Sequence, residues 1–446
     1  MRYGSFPKQF LFQRSIMPCQ WAHLLVKLHG MTHQTRTNRN IAIIGAGAAG
    51  LAAASVLQRT QSVTLFEQHS VVGGLWRTND NFKHTALYPS LRSNLPAGLM
   101  AFLDFPFQRQ LIPEHEGDYP GPAAVAAYLQ AYADHHQLIP KIQFNAKVTR
   151  VSPINDTQWL IELADRPAQI FDAVVVCNGH YTQPNRPLIE GSTESGLSVL
   201  HAKDYINPDP FRDQRVLVWG SKASGMDLVR EISTTAKQVY WCGHDPGMDA
   251  LVQDKSNVSI HADPTKLNRD AIELADGERL TGVDQVLLCT GYQYQFPFLD
   301  EALITIDDNL VHGLHQHILL AKRPTLAFIG LPYLVIPFPL FLIQSQWLNA
   351  VLTGQLQLPD APQLIALSDA EVAQHLAKPH EARHFHRLGA DQLAYLVHLI
   401  ESAALAPLPD IFLARLKAVQ EIKLAHPQDF RAIELPSQTF RDPPPA

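Results

Sequence analysis

Two glycine-rich stretches hold the residues whose types and spacing point to chemistry. GAGAAG runs from Gly45 to Gly50, and VLVWGSKASGMD runs from Val216 to Asp227. Each begins at or follows an apolar run that reads as a strand, and each opens a segment that reads as a helix. In the first, Gly45 makes the turn, Gly47 admits a pyrophosphate to bare backbone, and Gly50 lets the helix pack on the strand. Ala46, Ala48 and Ala49 complete the loop, whose helix start offers free N–H groups and partial positive charge to phosphates. Glu67 follows roughly 20 residues on, where an acid can accept hydrogen bonds from an adenosine ribose. The second loop keeps Gly220 and Gly225 but places Lys222 at the middle position. Ser221, Ala223 and Ser224 are small and still let phosphates approach. Lys222 is not a P-loop lysine, because G-x-x-x-x-G-K-S/T is absent.

The elements that position these loops form a repeated pattern. Ile41 to Gln58 reads as an apolar strand, a glycine turn and an alanine-rich helix. Val63–Glu67 reads as a second strand, which completes one βαβ half. GGLW at Gly73 to Trp76 follows. Its paired glycines permit close backbone approach to a ligand, which sharpens the choice to FAD with Gly74, Leu75 and Trp76 beside it; alone, such a pair is more often a turn. Asn79 to Pro122 is rich in Pro, Asn and aromatic residues and reads as ordered loop. A helix is expected from Ala123 to His136, with strands around Ile142–Val151 and Trp159–Leu163. FDAVVVCNG, Phe171 to Gly179, is a buried strand ending in a turn. The second glycine loop then opens a further βαβ unit, with its helix through Ile232 and its next strand at VYWCG. VDQVLLCTG, Val283 to Gly291, repeats the design of FDAVVVCNG. The chain therefore reads as α/β, with two dinucleotide-binding units, one inserted into the other.

The length of 446 residues suits two or three domains. A formal charge of −6 gives no reason to expect nucleic-acid binding. Cys19, Cys177, Cys242 and Cys289 contain no C-x-x-C, so neither a redox dithiol nor a zinc knuckle is supported. The apolar run Leu326–Ile343 is about long enough to span a bilayer. Pro332, Pro337 and Pro339 would break helical bonding there, so it reads as buried strand and loop, with no membrane partner. No acid precedes Glu67, while Arg2, Lys8, Arg14, Lys27, Arg36 and Arg39 accumulate. An organellar transit peptide within residues 1–30 fits this, as does an over-long start before Met31; the second reading is preferred, with a cytoplasmic location. Either way residues 1–38 are expected to lie outside the catalytic core. His312, His315 and His317, and His384 with His386, lack partners at a recognised ligand spacing, so no metal is expected.

Taken together, the motifs resemble the flavin-containing monooxygenases. The likeness is carried by SLRSNLPAGLMAFLDFPF (Ser90–Phe107), CNGHYTQP (Cys177–Pro184), HAKDY (His201–Tyr205) and LLCTGYQYQFPFL (Leu287–Leu299). IPFPLFLIQSQW and RHFHRLGADQ extend it, so that it covers roughly residues 40 to 400. It is nearest to the soluble plant- and fungal-type S- and N-oxygenating members. The resemblance implies two Rossmann-like dinucleotide-binding domains, with an NADPH domain (184–292) inserted into a discontinuous FAD domain (39–183 and 293–446). It implies FAD, NADPH, oxygen and a small sulfide or amine as partners; a homodimer is left open. Hydride would pass from NADPH to flavin, and a C4a-hydroperoxyflavin would oxygenate the soft nucleophile. Asn94 is the implied catalytic residue, since its amide both donates and accepts. Gln68, Ser93, Val148, Asn178, Gly179, Tyr205, Thr290, Gly291 and Gln344 are implied at the cofactors. His180 is expected in the Asn178 turn, and Tyr205 either touches a cofactor or packs at the domain junction.

This sequence departs from the family in three places. The fingerprint F-x-G-x-x-x-H-x-x-x-Y meets Ser195 and Leu197 where Phe and Gly belong. Lys222 interrupts the second loop. The Arg that often holds the 2′-phosphate of NADPH is missing from VYWCGHD. Two readings of Lys222 follow: its ammonium faces the cofactor phosphates in place of that Arg, or it points to solvent. His244 would help if protonated, and Asp245 would oppose a 2′-phosphate. A disulfide reductase is set aside for want of a dithiol. Baeyer–Villiger oxygenation of ketones and an uncoupled NADPH oxidase remain as alternatives.

Overall fold

The two apolar runs that precede the glycine loops become the central strands of two parallel sheets. A computed structural model of the chain describes residues 38–78, 85–192, 195–245, 247–268, 270–379, 381–436 and 440. The expectation for residues 1–38 therefore lies outside the described residues, Asn38 excepted. In the first sheet Asn40–Ile44 pairs in parallel with Ser62–Phe66 on one side and Ala173–Val176 on the other. Ile142–Gln143 extends it beyond Phe66, and Leu326–Phe328 lies in parallel beyond Val176. Two short antiparallel strands, Leu319–Leu320 and Leu314–His315, finish that edge. The second sheet is wholly parallel, in the order Val258–His261, Gln238–Cys242, Arg215–Trp219, Gln285–Leu288, Ser198–His201.

All strands of the second sheet fall between Val176 and Leu326, so it is inserted into the first. The two crossing segments run side by side, Gln183–Pro184 antiparallel to Tyr292–Gln293.

The continuous apolar runs are explained by burial on both faces. Side chains alternate across a strand. Ile41, Ile43, Leu65 and Val175 face a cluster with Leu51, Leu340 and Ile343, from the helices Ala48–Leu57 and Pro337–Leu352. Ala42, Ile44, Val174 and Val176 face Trp159 and Ile161 of the antiparallel sheet Val148–Asn155, Gln158–Leu163, Gln169–Phe171. The second sheet repeats this. Val216 and Val218 face the helix Ala223–Ile232, and Leu217 faces Ile272 and Leu280 of a small antiparallel sheet. Each fully buried Ile, Leu or Val contributes roughly 1.5–3 kcal/mol of burial free energy.

The expected helix is observed over Pro122–His135. The segment Leu326–Ile343 corrects its sequence reading: its second half is not loop but the start of the helix Pro337–Leu352. Pro337 and Pro339 sit in the first turn, where the N–H groups they lack have no intrahelical acceptor, so they fit the helix instead of breaking it. No helix among the described residues is long and apolar enough to cross a membrane.

Candidate functional site

Both glycine loops lie at the carboxyl ends of their parallel strands, where α/β sheets present ligand crevices. The backbone wiring of the two is nearly superposable. Gly45 N–H donates to Phe66 O at 2.8 Å, and Gly220 N–H donates to Cys242 O at 2.9 Å. Cys177 N–H donates to Ile44 O at 2.9 Å, and Cys289 N–H donates to Trp219 O at 2.7 Å. Gly45 and Gly220 have φ of +103° and +120°, a left-handed backbone that favours glycine. A Cβ on Gly45 would stand 2.5 Å from Cys177 O, and one on Gly220 would stand 2.3 Å from Cys289 O. A Cβ on Gly50 or on Gly225 would meet the carbonyl of the loop's own first glycine at 1.9 Å. The two Cys-x-Gly turns are thus the walls that make these glycines necessary, which accounts for the sequence repeat.

The loops differ in their middles. Gly47 lies against Gly74: a Cβ on Gly74 would come within 2.8 Å of Gly47 Cα. It is Gly74 that this approach requires, since a Cβ on Gly47 would meet Gly74 Cα only at 3.4 Å; in the GGLW turn Gly74–Trp76 forms a short 3-10 helix. The helix Ala48–Leu57 has no side-chain cap, so its first N–H groups stay available. Glu67 is only 4 % exposed. Its Oε2 accepts from Ala46 N–H at 2.8 Å, and its Oε1 accepts from His69 N–H at 2.9 Å. Burial raises its pKa despite those two bonds and the nearby Arg77 guanidinium. Gln68 is exposed beside it.

In the second loop, Lys222 is the N-cap residue of the helix Ala223–Ile232 and caps nothing with its side chain. Its ammonium pairs with Asp245, and Ser221 Oγ donates to the other oxygen of the same carboxylate. Partial burial pushes Asp245 up, but the Lys222 and Ser221 hydrogen bonds outweigh it and hold the carboxyl below its ordinary value. Lys222 is thus drawn to Asp245 while its side chain stays 57% exposed. His244 is exposed and faces Asp263 at 3.2 Å.

The Asn94 segment bridges the two halves. Tyr88 packs in the second sheet's core, edge-on to Tyr205 at 5.2 Å, and Ser90 Oγ donates to Glu231 at 2.8 Å. Leu99 and Met100 belong to the first sheet's core. Between them Ser93 is buried and fully engaged: N–H to Pro120 O at 3.1 Å, Oγ to Leu95 O at 2.6 Å. Asn94 is exposed and its amide makes no hydrogen bond to another described residue.

The remaining expected positions divide. Asn178 is the middle residue of the first Cys-x-Gly turn and donates to Gln295 O at 2.9 Å, with Gly179 at φ +73°. Thr290 and Gly291 hold the second turn: Thr290 Oγ1 donates to Asn185 O at 2.6 Å, and Asn185 N–H donates to Gly291 O at 2.9 Å. Tyr205 is buried in the junction core, stacked on Phe211 at 5.9 Å. Val148 opens an antiparallel strand with its side chain buried. Gln344 has both ends of its amide occupied within the protein, by Gly330 N–H at 3.0 Å and Tyr395 Oη at 2.8 Å.

His201 went unassigned, although it stands in the H-x-x-x-Y element. It is fully buried, its Nε2 donates to Gly291 O at 3.0 Å, and its Nδ1 accepts from Lys203 N–H at 3.1 Å. Burial pushes its pKa down to about 4, so the ring is neutral and ties this element to the second turn.

The two histidine-rich stretches meet in space. His386 Nε2 accepts from Val311 N–H at 3.1 Å, so its Nδ1 carries the proton and donates to His317 Nδ1 at 3.0 Å. Among the described residues no three His, Cys, Asp or Glu side chains group to hold a metal.

A mainly parallel sheet with a second, wholly parallel sheet inserted, each with a glycine loop at its strand ends, defines an α/β class with two Rossmann-like units. The chain matches the model of the family described as flavin-binding monooxygenase-like over residues 38–248 and 250–426. It is 35% identical over 404 residues to flavin-containing monooxygenase FMO GS-OX5 of Arabidopsis thaliana, covering 84% of this chain and 87% of that protein. It is 33% identical over 442 residues to FMO GS-OX-like 4 of the same plant, covering 91% and 97%. The solved S-allyl-L-cysteine S-oxygenase of Allium sativum aligns with a TM-score of 0.81 at 31% identity, over 90% of this chain and 96% of that one. The protein belongs to the flavin-binding monooxygenase family.

Proposed function

We propose that the protein is an FAD- and NADPH-dependent monooxygenase that transfers one oxygen atom to soft nucleophiles, sulfides first and amines second. The observation that carries this is the pair of equivalent glycine loops joined by the Asn94 segment. The sulfide preference is supported by the similarity to a solved S-oxygenase.

The residues at the first loop fit a flavin dinucleotide. Gly47 and Gly74 meet backbone to backbone, and the helix start is uncapped. In this reading residues 39–183 and 293–446 bind FAD, and residues 184–292 bind NADPH. When bound, the two cofactors supply the reducing equivalents and the activation of oxygen. Glu67 holds the loop through Ala46 N–H and keeps lone pairs for a ribose hydroxyl. Ser221, Ala223 and Ser224 leave the second loop's backbone open, and the Lys222 ammonium serves a 2′-phosphate once it leaves Asp245. Asn94 is the one free amide on an otherwise bonded turn, so it presents donors and an acceptor to the reacting centre at little reorganisation cost. Its neighbours Leu95, Leu99 and Met100 help keep that side dry.

The test is direct. Purified protein is loaded with FAD, given NADPH and a thioether, and analysed for sulfoxide and hydrogen peroxide. One sulfoxide per NADPH is expected. Asn94→Ala should keep FAD while peroxide replaces most of the sulfoxide. Protein that takes up no FAD sinks the reading; ester formation from ketones, or peroxide alone in the unmodified enzyme, replaces it with one of the two alternatives.

A further inference from the structure

Asn94 is held by more than its own loop. Arg431, more than 300 residues away in sequence, reaches the backbone on its amino side: Nε donates to Ser93 O at 2.9 Å and an Nη to Arg92 O at 3.3 Å. The same guanidinium makes a two-point pair with Asp227, both contacts at 3.0 Å. Asp227 lies on the helix that starts at the second glycine loop. Four donor contacts therefore leave one planar group, in three directions fixed by the guanidinium fork. The group is mostly buried, with Arg431 23% and Asp227 26% exposed, and its ring-face neighbour is Phe430 at 4.8 Å. A lysine could not reproduce this, since its three donors radiate from one point.

We propose that Arg431 is a positioning residue for the oxygenation: it locks the Asn94 turn to the NADPH-side helix, so that the reacting centre and the nicotinamide nucleotide keep a fixed register. This rests on the role assigned above to Asn94 and extends it to a residue that acts through the backbone of the Asn94 turn. The Ser93 carbonyl cannot shift without breaking the Arg431 contact, and Asp227 cannot shift without pulling the same guanidinium. A displacement of about 1 Å at a reacting group can cost up to about a hundredfold in rate.

The experiment compares Arg431→Ala, Arg431→Lys and Asp227→Asn by two readouts. The first is amide hydrogen exchange of the apoprotein. Ser93 and Ala97 N–H are bonded to Pro120 O and Asp118 O. Both should exchange about tenfold faster in Arg431→Ala, as local opening becomes easier. The second is sulfoxide formed per NADPH oxidised by the FAD-loaded enzyme, expected to fall about tenfold in Arg431→Ala and less in Asp227→Asn. Lysine should not restore either. Added guanidinium should partly restore both in Arg431→Ala, because a cleft of about 390 Å³ opens beside this group. Unchanged loop exchange, or an unchanged product yield in a variant with faster loop exchange, overturns the proposal. If Arg431→Ala does not fold, Asp227→Asn decides by the same two measurements. If the unmodified enzyme makes no sulfoxide, the functional reading fails, while the exchange data still judge the lock.

Discussion

The two glycine loops share a backbone and differ in how their acids are used. In the first, Glu67 follows the second strand directly and accepts the N–H of Ala46 from inside the core. The loop is thereby fastened by main chain to a buried carboxylate, with the Arg77 guanidinium near it. In the second, the residue after the second strand is Gly243, and a side chain there would collide with Ser221 Cβ at 2.9 Å. The acid appears two residues later as Asp245, partly exposed, and it binds side chains: Ser221 and Lys222. Under the proposed function, the first loop would hold FAD throughout turnover. The second keeps an ion pair, Lys222 with Asp245, for which the 2′-phosphate of NADPH would compete in the proposed function. A cofactor that stays and a cofactor that must be exchanged each turnover would need this difference.

The largest test of the comparison is to fill each loop. Gly50→Ala and Gly225→Ala introduce the same clash, at 1.9 Å to a carbonyl. Overpacking of this kind costs about 1–3 kcal/mol of stability. Their functional outcomes should diverge: Gly50→Ala should purify without flavin absorbance, while Gly225→Ala should stay yellow and lose reduction by NADPH. Two colourless variants would mean that the loops are not separate sites. Next in size is Glu67→Gln. It keeps the shape but removes charge from the bond to Ala46 N–H, and such bonds contribute about 1.5–3 kcal/mol. Flavin affinity, read by equilibrium dialysis, should weaken by about tenfold or more, with the KM for NADPH unmoved.

How much of this was readable in advance follows from range. The first loop is legible because its motif is local: the strand, Gly45, Gly47, Gly50 and Glu67 follow one another within residues 40–67, and a Cβ on Gly50 would meet the loop's own Gly45 O. The repeat of FDAVVVCNG in VDQVLLCTG carried the insertion of one sheet into the other. Pro337 and Pro339 misled because proline breaks a helix interior but suits its first turn, and the sequence does not mark which turn it is. Gln344 carries the family likeness, yet its partners Gly330 and Tyr395 come from other elements and occupy its amide. Arg431 has no motif at all. Its meaning depends on three segments brought together by the fold, as does the pairing of His317 with His386.

The smaller effects bear on Lys222. Lys222→Ala should raise the KM for NADPH several-fold and leave that for NADH nearly unchanged. Equal changes for both would make Lys222 irrelevant to the 2′-phosphate. Asp245→Asn should do the reverse and lower the KM for NADPH by a few-fold, because it releases Lys222 and removes a negative charge from the same place. The gain must be modest, since an exposed pair of this kind is worth about 0–1 kcal/mol, and Lys222 is 57% exposed.

The pH dependence of that gain separates Asp245 from its neighbour. The Asp245 carboxyl is held below its ordinary value by Lys222 and Ser221. A depressed acid keeps its stabilising pair above the ordinary carboxylate range and loses it only as pH falls through the lowered value. The ratio of KM values, wild type over Asp245→Asn, should therefore stay flat from about pH 7.5 to 9, where a 2′-phosphate keeps its full charge. It should shrink as salt rises, because exposed charges are screened over about 10 Å at 0.1 M. A ratio that instead varies across that range would mean that a group other than Asp245 meets the phosphate. Lys222 would then be left as the partner of Asp245 alone.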